Sequence, residues 1–369
     1  MISSIPYTRS DFGTSPMLVF FETTRACDLK CRHCRAEAQK KHHPQELTTQ
    51  QAEALIDELT TFPKPPMLVF TGGDPLKRRD IFHLVAYAHQ KGIHTAMTPS
   101  ATPLVTADAI RRLKESGLQR FAVSLDGADA ATHDDFRRVN GSFQRTMEII
   151  RDARAAGLPV QINTTVGRHN VGQIDAIAEL LAGMDIVLWS VFFLVPMGRA
   201  TIEQRIAPKE YERVFEKLWL HTKKQPYAIK TTEAPQYRRF LLEMKRREKL
   251  TSKPDALPKA VSPMVGTNDG RGVMFVSHIG EIFPSGFLPL WAGRFPFDSL
   301  VSTYQKSAVF VALRDSKALG GKCGGCEYNN LCGGSRARAF ALTDDPLAAE
   351  PDCTYVPPRV ADEATTCLA

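Results

Sequence analysis

Three cysteines, Cys27, Cys31 and Cys34, lie in the run Thr-Thr-Arg-Ala-Cys-Asp-Leu-Lys-Cys-Arg-His-Cys, with the spacing Cys-x3-Cys-x2-Cys and no fourth cysteine nearby. A cubane 4Fe–4S cluster normally takes four thiolates. Three protein ligands leave one iron open, which suits a cluster that binds a small molecule and passes it an electron. Zinc is the competing use of such a run, but a tetrahedral site wants a fourth Cys or His at close spacing. His33 lies inside the run and is poorly placed beside Cys34 to complete a tetrahedron.

A second stretch, residues 68–75, reads Leu-Val-Phe-Thr-Gly-Gly-Asp-Pro. An apolar run followed by Gly-Gly predicts a buried strand ending in a tight loop. Glycines there let the backbone come close to a ligand, and their carbonyls can accept from an ammonium group. Alone, the same residues make an ordinary turn.

Together the two stretches resemble the signature of the radical SAM enzymes. The resemblance implies that S-adenosylmethionine (SAM) chelates the open iron through its amino and carboxylate groups. The reduced cluster then cleaves the sulfonium to methionine and a 5′-deoxyadenosyl radical, which abstracts hydrogen from substrate. This chemistry belongs to the cofactor rather than to side chains. The family has Gly-Gly-Glu-Pro where this chain has Gly72, Gly73, Asp74 and Pro75, a loop that holds the SAM amino group. Asp74 keeps the carboxylate with one methylene less. By the same resemblance, Ser124 and Asp126 belong to a segment that contacts the SAM ribose and carboxylate. Met197 and Gly198 lie where family backbone contacts adenine. Arg137 is a candidate partner of the SAM carboxylate, since a guanidinium pairs with a carboxylate through two bonds. Asn163 and Thr165 end a strand on the same side. Each of these residues could equally cap a helix or close a turn.

The elements that must position these groups alternate. Strand patterns fall at 17–22, 67–71, 94–98, 120–125, 160–166 and 187–195. Helix patterns fall at 48–59, 81–90, 107–116, 143–155 and 174–182, the first capped by Thr48 or Thr49. Alternation of this kind predicts parallel βα units. The expected fold is α/β, a partial (β/α)6 TIM barrel with a small C-terminal iron–sulfur domain. Chemistry in such barrels sits at the carboxyl ends of the strands, where the cysteine run and the Gly-Gly loop both fall. The expected organisation is an N-terminal extension (1–16), the barrel (17–225), a helical linker (226–262) and the C-terminal domain (263–369).

That last domain carries Cys323, Cys326, Cys332 and Cys353. Four thiolates saturate a second 4Fe–4S cluster, and four also satisfy structural zinc. The segment resembles the SPASM or twitch domains of radical SAM enzymes. The full SPASM pattern has seven cysteines for two auxiliary clusters. Here Arg336 stands where one further cysteine would be and Ser285 where another would be, so one auxiliary cluster is expected. Cys367 is left over as a tail thiol.

The resemblance is closest to the haem-biosynthesis group, on Gly-Gly-Ser-Arg-Ala-Arg after Cys332, Asp-Pro-Leu-Ala-Ala-Glu-Pro-Asp before Cys353, and Lys-Thr-Thr-Glu-Ala-Pro at 230–235. It implies a carboxylate-bearing substrate, a tetrapyrrole whose propionate is oxidised or decarboxylated. The alternatives are a maturase of a ribosomally made peptide or protein cofactor, and a non-catalytic iron–sulfur carrier. A carrier has no use for a SAM pocket. A flavodoxin or ferredoxin is the expected reductant.

The 369 residues are 43% apolar and 24% charged, an ordinary globular balance, with net charge +7. Basic residues crowd the cysteine run (Arg25, Lys30, Arg32, Arg35) and residues 238–247, which suits a polycarboxylate or simply a solvated helix face. No recognition helix or zinc finger points to nucleic acid. No run of 18 apolar residues suggests a membrane span, and residues 1–6 lack signal-peptide character. Cysteines in two tight clusters read as metal ligands of a reducing compartment, the cytoplasm.

Overall fold

The computed structural model describes residues 7–251 and 266–358. Seven parallel strands follow one another in chain order across the sheet: β1 (Leu18–Glu22), β2 (Met67–Thr71), β3 (Thr95–Met97), β4 (Arg120–Ser124), β5 (Val160–Val166), β6 (Leu188–Phe193) and β7 (Ala228–Thr232). An eighth, β8 (Val273–Val276), pairs parallel with the other side of β1. β9 (Glu281–Phe283) and β10 (Gly293–Arg294) continue that edge antiparallel. β7 and β8 do not pair, so the barrel is partial.

Helices α1 (Thr49–Leu59), α2 (Ile81–Gln90), α3 (Ala107–Glu115), α4 (Ala130–Arg137), α5 (Ser142–Ala155), α6 (Ile174–Ala182) and α7 (Pro208–Lys224) alternate with the strands. α8 (Gln236–Thr251) follows β7. Four short helices lie after β10: α9 (Leu300–Lys306), α10 (Ala308–Arg314), α11 (Gly321–Gly324) and α12 (Arg336–Thr343). Thr48 caps α1 in a capping box with Gln51, which satisfies two orphan amide groups. Among the described residues no helix is long and apolar enough to cross a membrane.

The strand period of two explains the layers. Along β5, Val160, Ile162, Thr164 and Val166 are buried, while Gln161, Asn163 and Thr165 face a central cavity. A complete TIM barrel fills its interior with branched apolar side chains. Here the interior is a cavity of about 1170 Å³, beyond the usual 300–1,000 Å³ of a single small-molecule site.

Residues 226–262, expected as a helical linker, instead place β7 before α8, and residues 252–262 lie outside those described. β7 escapes a pattern search because only Ile229 of its five residues is fully buried. α4 was likewise unforeseen, since its only buried residues are His133 and Phe136. Cys367 also lies outside the described residues.

Candidate functional site

The cysteine loop leaves the end of β1 and is held by backbone. Cys27 N–H donates to Gln39 O at 2.7 Å. Gly73 N–H and Asp74 N–H donate to Thr24 O and Ala26 O, both at 2.8 Å. A Cβ on Gly72 would lie 2.3 Å from Thr24 O, and one on Gly73 2.5 Å from Ala26 O. The glycines are therefore required first by the contact between the two loops. Gly198, at φ +56°, serves the other flank: a Cβ there would meet Cys34 O at 2.5 Å, and Arg199 N–H donates to that same oxygen. Cys27, Cys31 and Cys34 all face the cavity.

Charge is arranged around this loop. Glu22, fully buried at the end of β1, meets His278 Nδ1 at 2.9 Å and both Arg25 and Arg35 at 3.4 Å. Burial raises its carboxyl pKa, but the His278 hydrogen bond and the two guanidinium charges outweigh that and hold it below the ordinary value. On the far side, Arg137 pairs with buried Asp126 and donates to Cys31 Sγ at 3.6 Å. Burial opposes ionisation of Asp126, yet Arg137 brings its carboxyl down to about 2. The rings of His33, Phe136 and His169 stack beside it, with centroids 4.3 and 3.7 Å apart.

The expected SAM contacts divide. Gly72, Gly73, Ser124, Arg137, Asn163 and Thr165 line the cavity; Asp74, Pro75, Asp126, Met197 and Gly198 do not. Asp74 is turned into the protein, accepting from Thr102 Oγ1 at 2.6 Å and from Leu76 N–H at 3.2 Å. Asp126 accepts from Thr165 N–H at 2.7 Å and so ties β4 to β5. Ser100, three residues beyond β3, carries no motif in the sequence. Its hydroxyl donates to Gly73 O at 2.8 Å and lies 3.3 Å from Cys27 Sγ, linking both loops.

Cys323, Cys326, Cys332 and Cys353 come together from α11, two loops and the C-terminal segment. An ionised Cys323 or Cys353 would raise the pKa of both Cys326 and Cys332, so the four thiols share one neighbourhood. Cys323 Sγ accepts from Glu350 N–H and Cys332 Sγ from Gly334 N–H, both at 3.3 Å. Burial pushes the Cys326 thiol up to about 11 and Cys332 to about 12, so without a cation they stay protonated. Burial raises Cys27 and Cys31 in the same way. Among the described residues no three His, Cys, Asp or Glu side chains gather round one point as a single ion requires. A cubane puts each thiolate on a different iron and does not ask for that convergence. Both cysteine groups fit a cluster by their thiol sets and their amide and guanidinium surroundings.

The basic run at 238–247 is more than a solvated face. Arg238 lines the cavity and donates to Leu331 O and Thr267 O. Arg239 bridges Glu212 and Glu243. Of the loop cations, Arg25 and Arg35 are engaged by Glu22 and Arg32 by Asp135. Seven Lys or Arg side chains line the cavity with two carboxylates, Glu233 and Asp269; three of them, Arg35, Arg137 and Lys64, are paired with Glu22, Asp126 and Asp11 behind the wall.

The sequence profile of the Radical SAM superfamily matches residues 21–181. The AdoMet-dependent heme synthase of Nitratidesulfovibrio vulgaris strain Hildenborough is 40% identical over 359 residues, spanning 96% of this chain and 96% of that protein. The protein of the same name from Methanosarcina barkeri strain Fusaro is 38% identical, spanning 93% of this chain and 97% of its own. Among solved structures, Streptococcus suis SuiB bound to S-adenosylmethionine superposes with a TM-score of 0.69 at 15% identity, over 93% of this chain and 78% of SuiB.

Proposed function

Because this chain belongs to the radical SAM superfamily, we propose that it abstracts a hydrogen atom from a propionate side chain of a tetrapyrrole, leading to oxidation or decarboxylation. The observation that carries this reading is the cavity: about 1170 Å³, with Cys27, Cys31 and Cys34 in its wall and four lining cations, Arg120, Arg199, Lys230 and Arg238, that form no ion pair among the described residues. That is room and charge for a large polycarboxylate beside SAM. The heme synthase name of its relatives points the same way.

Cys27, Cys31 and Cys34 hold the cluster that supplies the radical. Gly72, Gly73, Ser124, Asn163 and Thr165 surround SAM, while Asp74, Asp126, Met197 and Gly198 set the loops behind them. Arg137 stands beside Cys31 with its charge already shared with Asp126. Cys323, Cys326, Cys332 and Cys353 would hold one auxiliary cluster in a SPASM or twitch domain spanning 263–369. When bound, SAM and the reduced cluster would supply a radical that takes hydrogen from a side-chain carbon; loss of CO2 and one electron from the substrate would then leave a C=C bond, and a cluster on Cys323, Cys326, Cys332 and Cys353 would supply the electron acceptor. A flavodoxin or ferredoxin in the cytoplasm is the reductant.

Iron coproporphyrin added with SAM and a reductant should lose carboxyl mass. Absence of both product and optical change on mixing would move the reading to peptide maturation. A second test concerns Asp74. Asp74→Ala removes a cap and the Thr102 bond, each worth about 1 kcal/mol, and should weaken SAM binding several-fold while the iron content stays. Asp74→Asn can keep the Leu76 N–H bond through its amide oxygen and donate from its amide nitrogen to the Thr102 hydroxyl in place of the bond now accepted from it, and should bind SAM nearly as the parent does. Equal weakening in the two variants would assign the carboxylate charge a direct hold on the ammonium group.

A further inference from the structure

Lys230 and Arg120 enter the cavity from β7 and β4. Lys230 lies in register with Ser190 and, through it, with inward-facing Asn163. Arg120 is the first residue of β4 and Ser124 the last. Four strand residues at ~3.3 Å each put Arg120 about 13 Å from the SAM edge, at the opposite end of the barrel.

Among the described residues neither head group has a carboxylate or hydrogen-bond partner. The charged groups that bear on Lys230 are both cations, Arg120 and Arg238; burial first, then these two, lower its pKa to about 8. Arg238 is committed to Leu331 O and Thr267 O. The two cavity carboxylates are held elsewhere: Glu233 accepts from Ser335 Oγ at 2.5 Å and Asp269 from Ala337 N–H at 3.0 Å. Both side chains are half-buried with their head groups open to the cavity, in layers that a complete barrel fills with branched apolar side chains. An anion in the cavity would give them a partner. SAM is not that anion, because its carboxylate belongs at the other end, by the cysteine loop.

We propose that Arg120 and Lys230 form a carboxylate-binding floor that takes a second, unreacting carboxylate of the substrate, so that the opposite side chain faces the cysteine loop. The inference rests on the tetrapyrrole reading above. It makes the enzyme selective for substrates with at least two carboxylates set apart across a rigid frame.

The test is an optical titration of the iron-loaded, SAM-bound protein with iron coproporphyrin, and with its tetramethyl ester, in which every carboxylate is masked. Parent protein should bind the free acid about tenfold to a hundredfold more tightly than the ester, the range of charged hydrogen bonds. Arg120→Met with Lys230→Met should lose most of that preference, and Lys230→Arg alone should keep it. Iron content and a thermal melt report whether the variants are folded; the ester comparison on the parent needs no variant. Equal binding of acid and ester by the parent, or an unchanged preference in the folded double variant, overturns the floor and leaves the tetrapyrrole reading standing. A parent that neither binds nor converts the free acid overturns both.

Discussion

Protein with Cys27, Cys31 and Cys34 all replaced by Ala is expected to carry about four irons in place of about eight, and to cleave no SAM. The three thiols share one loop and one cavity wall, whereas the other four cysteines, none of which lines that cavity, form a separate group. The loop itself should persist. It is pinned by Cys27 N–H on Gln39 O, by the Gly-Gly backbone contacts and by Glu22 with Arg25 and Arg35, and none of these uses a thiol. Anaerobic reconstitution with iron counting and assay of 5′-deoxyadenosine checks this. Parent protein with about four irons and one zinc would sink the auxiliary cluster.

Arg338→Met is expected to destabilise the protein by about 3–5 kcal/mol, the usual cost of removing one partner from a buried ion pair. Arg338 is fully buried on α12. Its Nε lies 3.0 Å from Glu350 and 3.1 Å from Asp352. It also donates to the Glu233 carbonyl and lies over the Tyr211 ring, 5.1 Å from the centroid. Asp352 keeps Arg205 in the variant, but Glu350 loses its only ion pair among the described residues. Since Glu350 N–H donates to Cys323 Sγ and Asp352 directly precedes Cys353, the second cysteine group should loosen with them. Urea denaturation should show an earlier midpoint, and reconstituted variant should lose iron from the second group while SAM cleavage continues. An unchanged midpoint with full iron would refute this account of Arg338.

Much of the barrel was legible because its signals are local. The strands at 67–71 and 160–166 and the helices at 81–90 and 174–182 occur where the apolar period places them, since each buries a continuous face against its neighbours. The cysteine spacing and the Gly-Gly loop were legible for the same reason, as ligand sets and close approaches need particular residue types at short range.

What residue type alone left open was direction and partner. Asp74 looks the same in sequence whether it meets a ligand or Thr102, and only packing turned it inward. Arg137 was read as free for a carboxylate, yet the fold gives it Asp126, buried just past the end of β4. Glu22 carried no motif, and its meaning came from His278, which β8 brings alongside β1. β7 was hidden because its inward face is polar, and that polarity makes sense only once the barrel is known to enclose a cavity. Arg120 and Lys230 lie on different strands far apart in the chain. Composition, spacing and period determined which elements form and which groups can ligate iron. The closing of the sheet, through non-local strand pairing that no short-range pattern encodes, decided which side chains share the interior and which charges there remain unpaired.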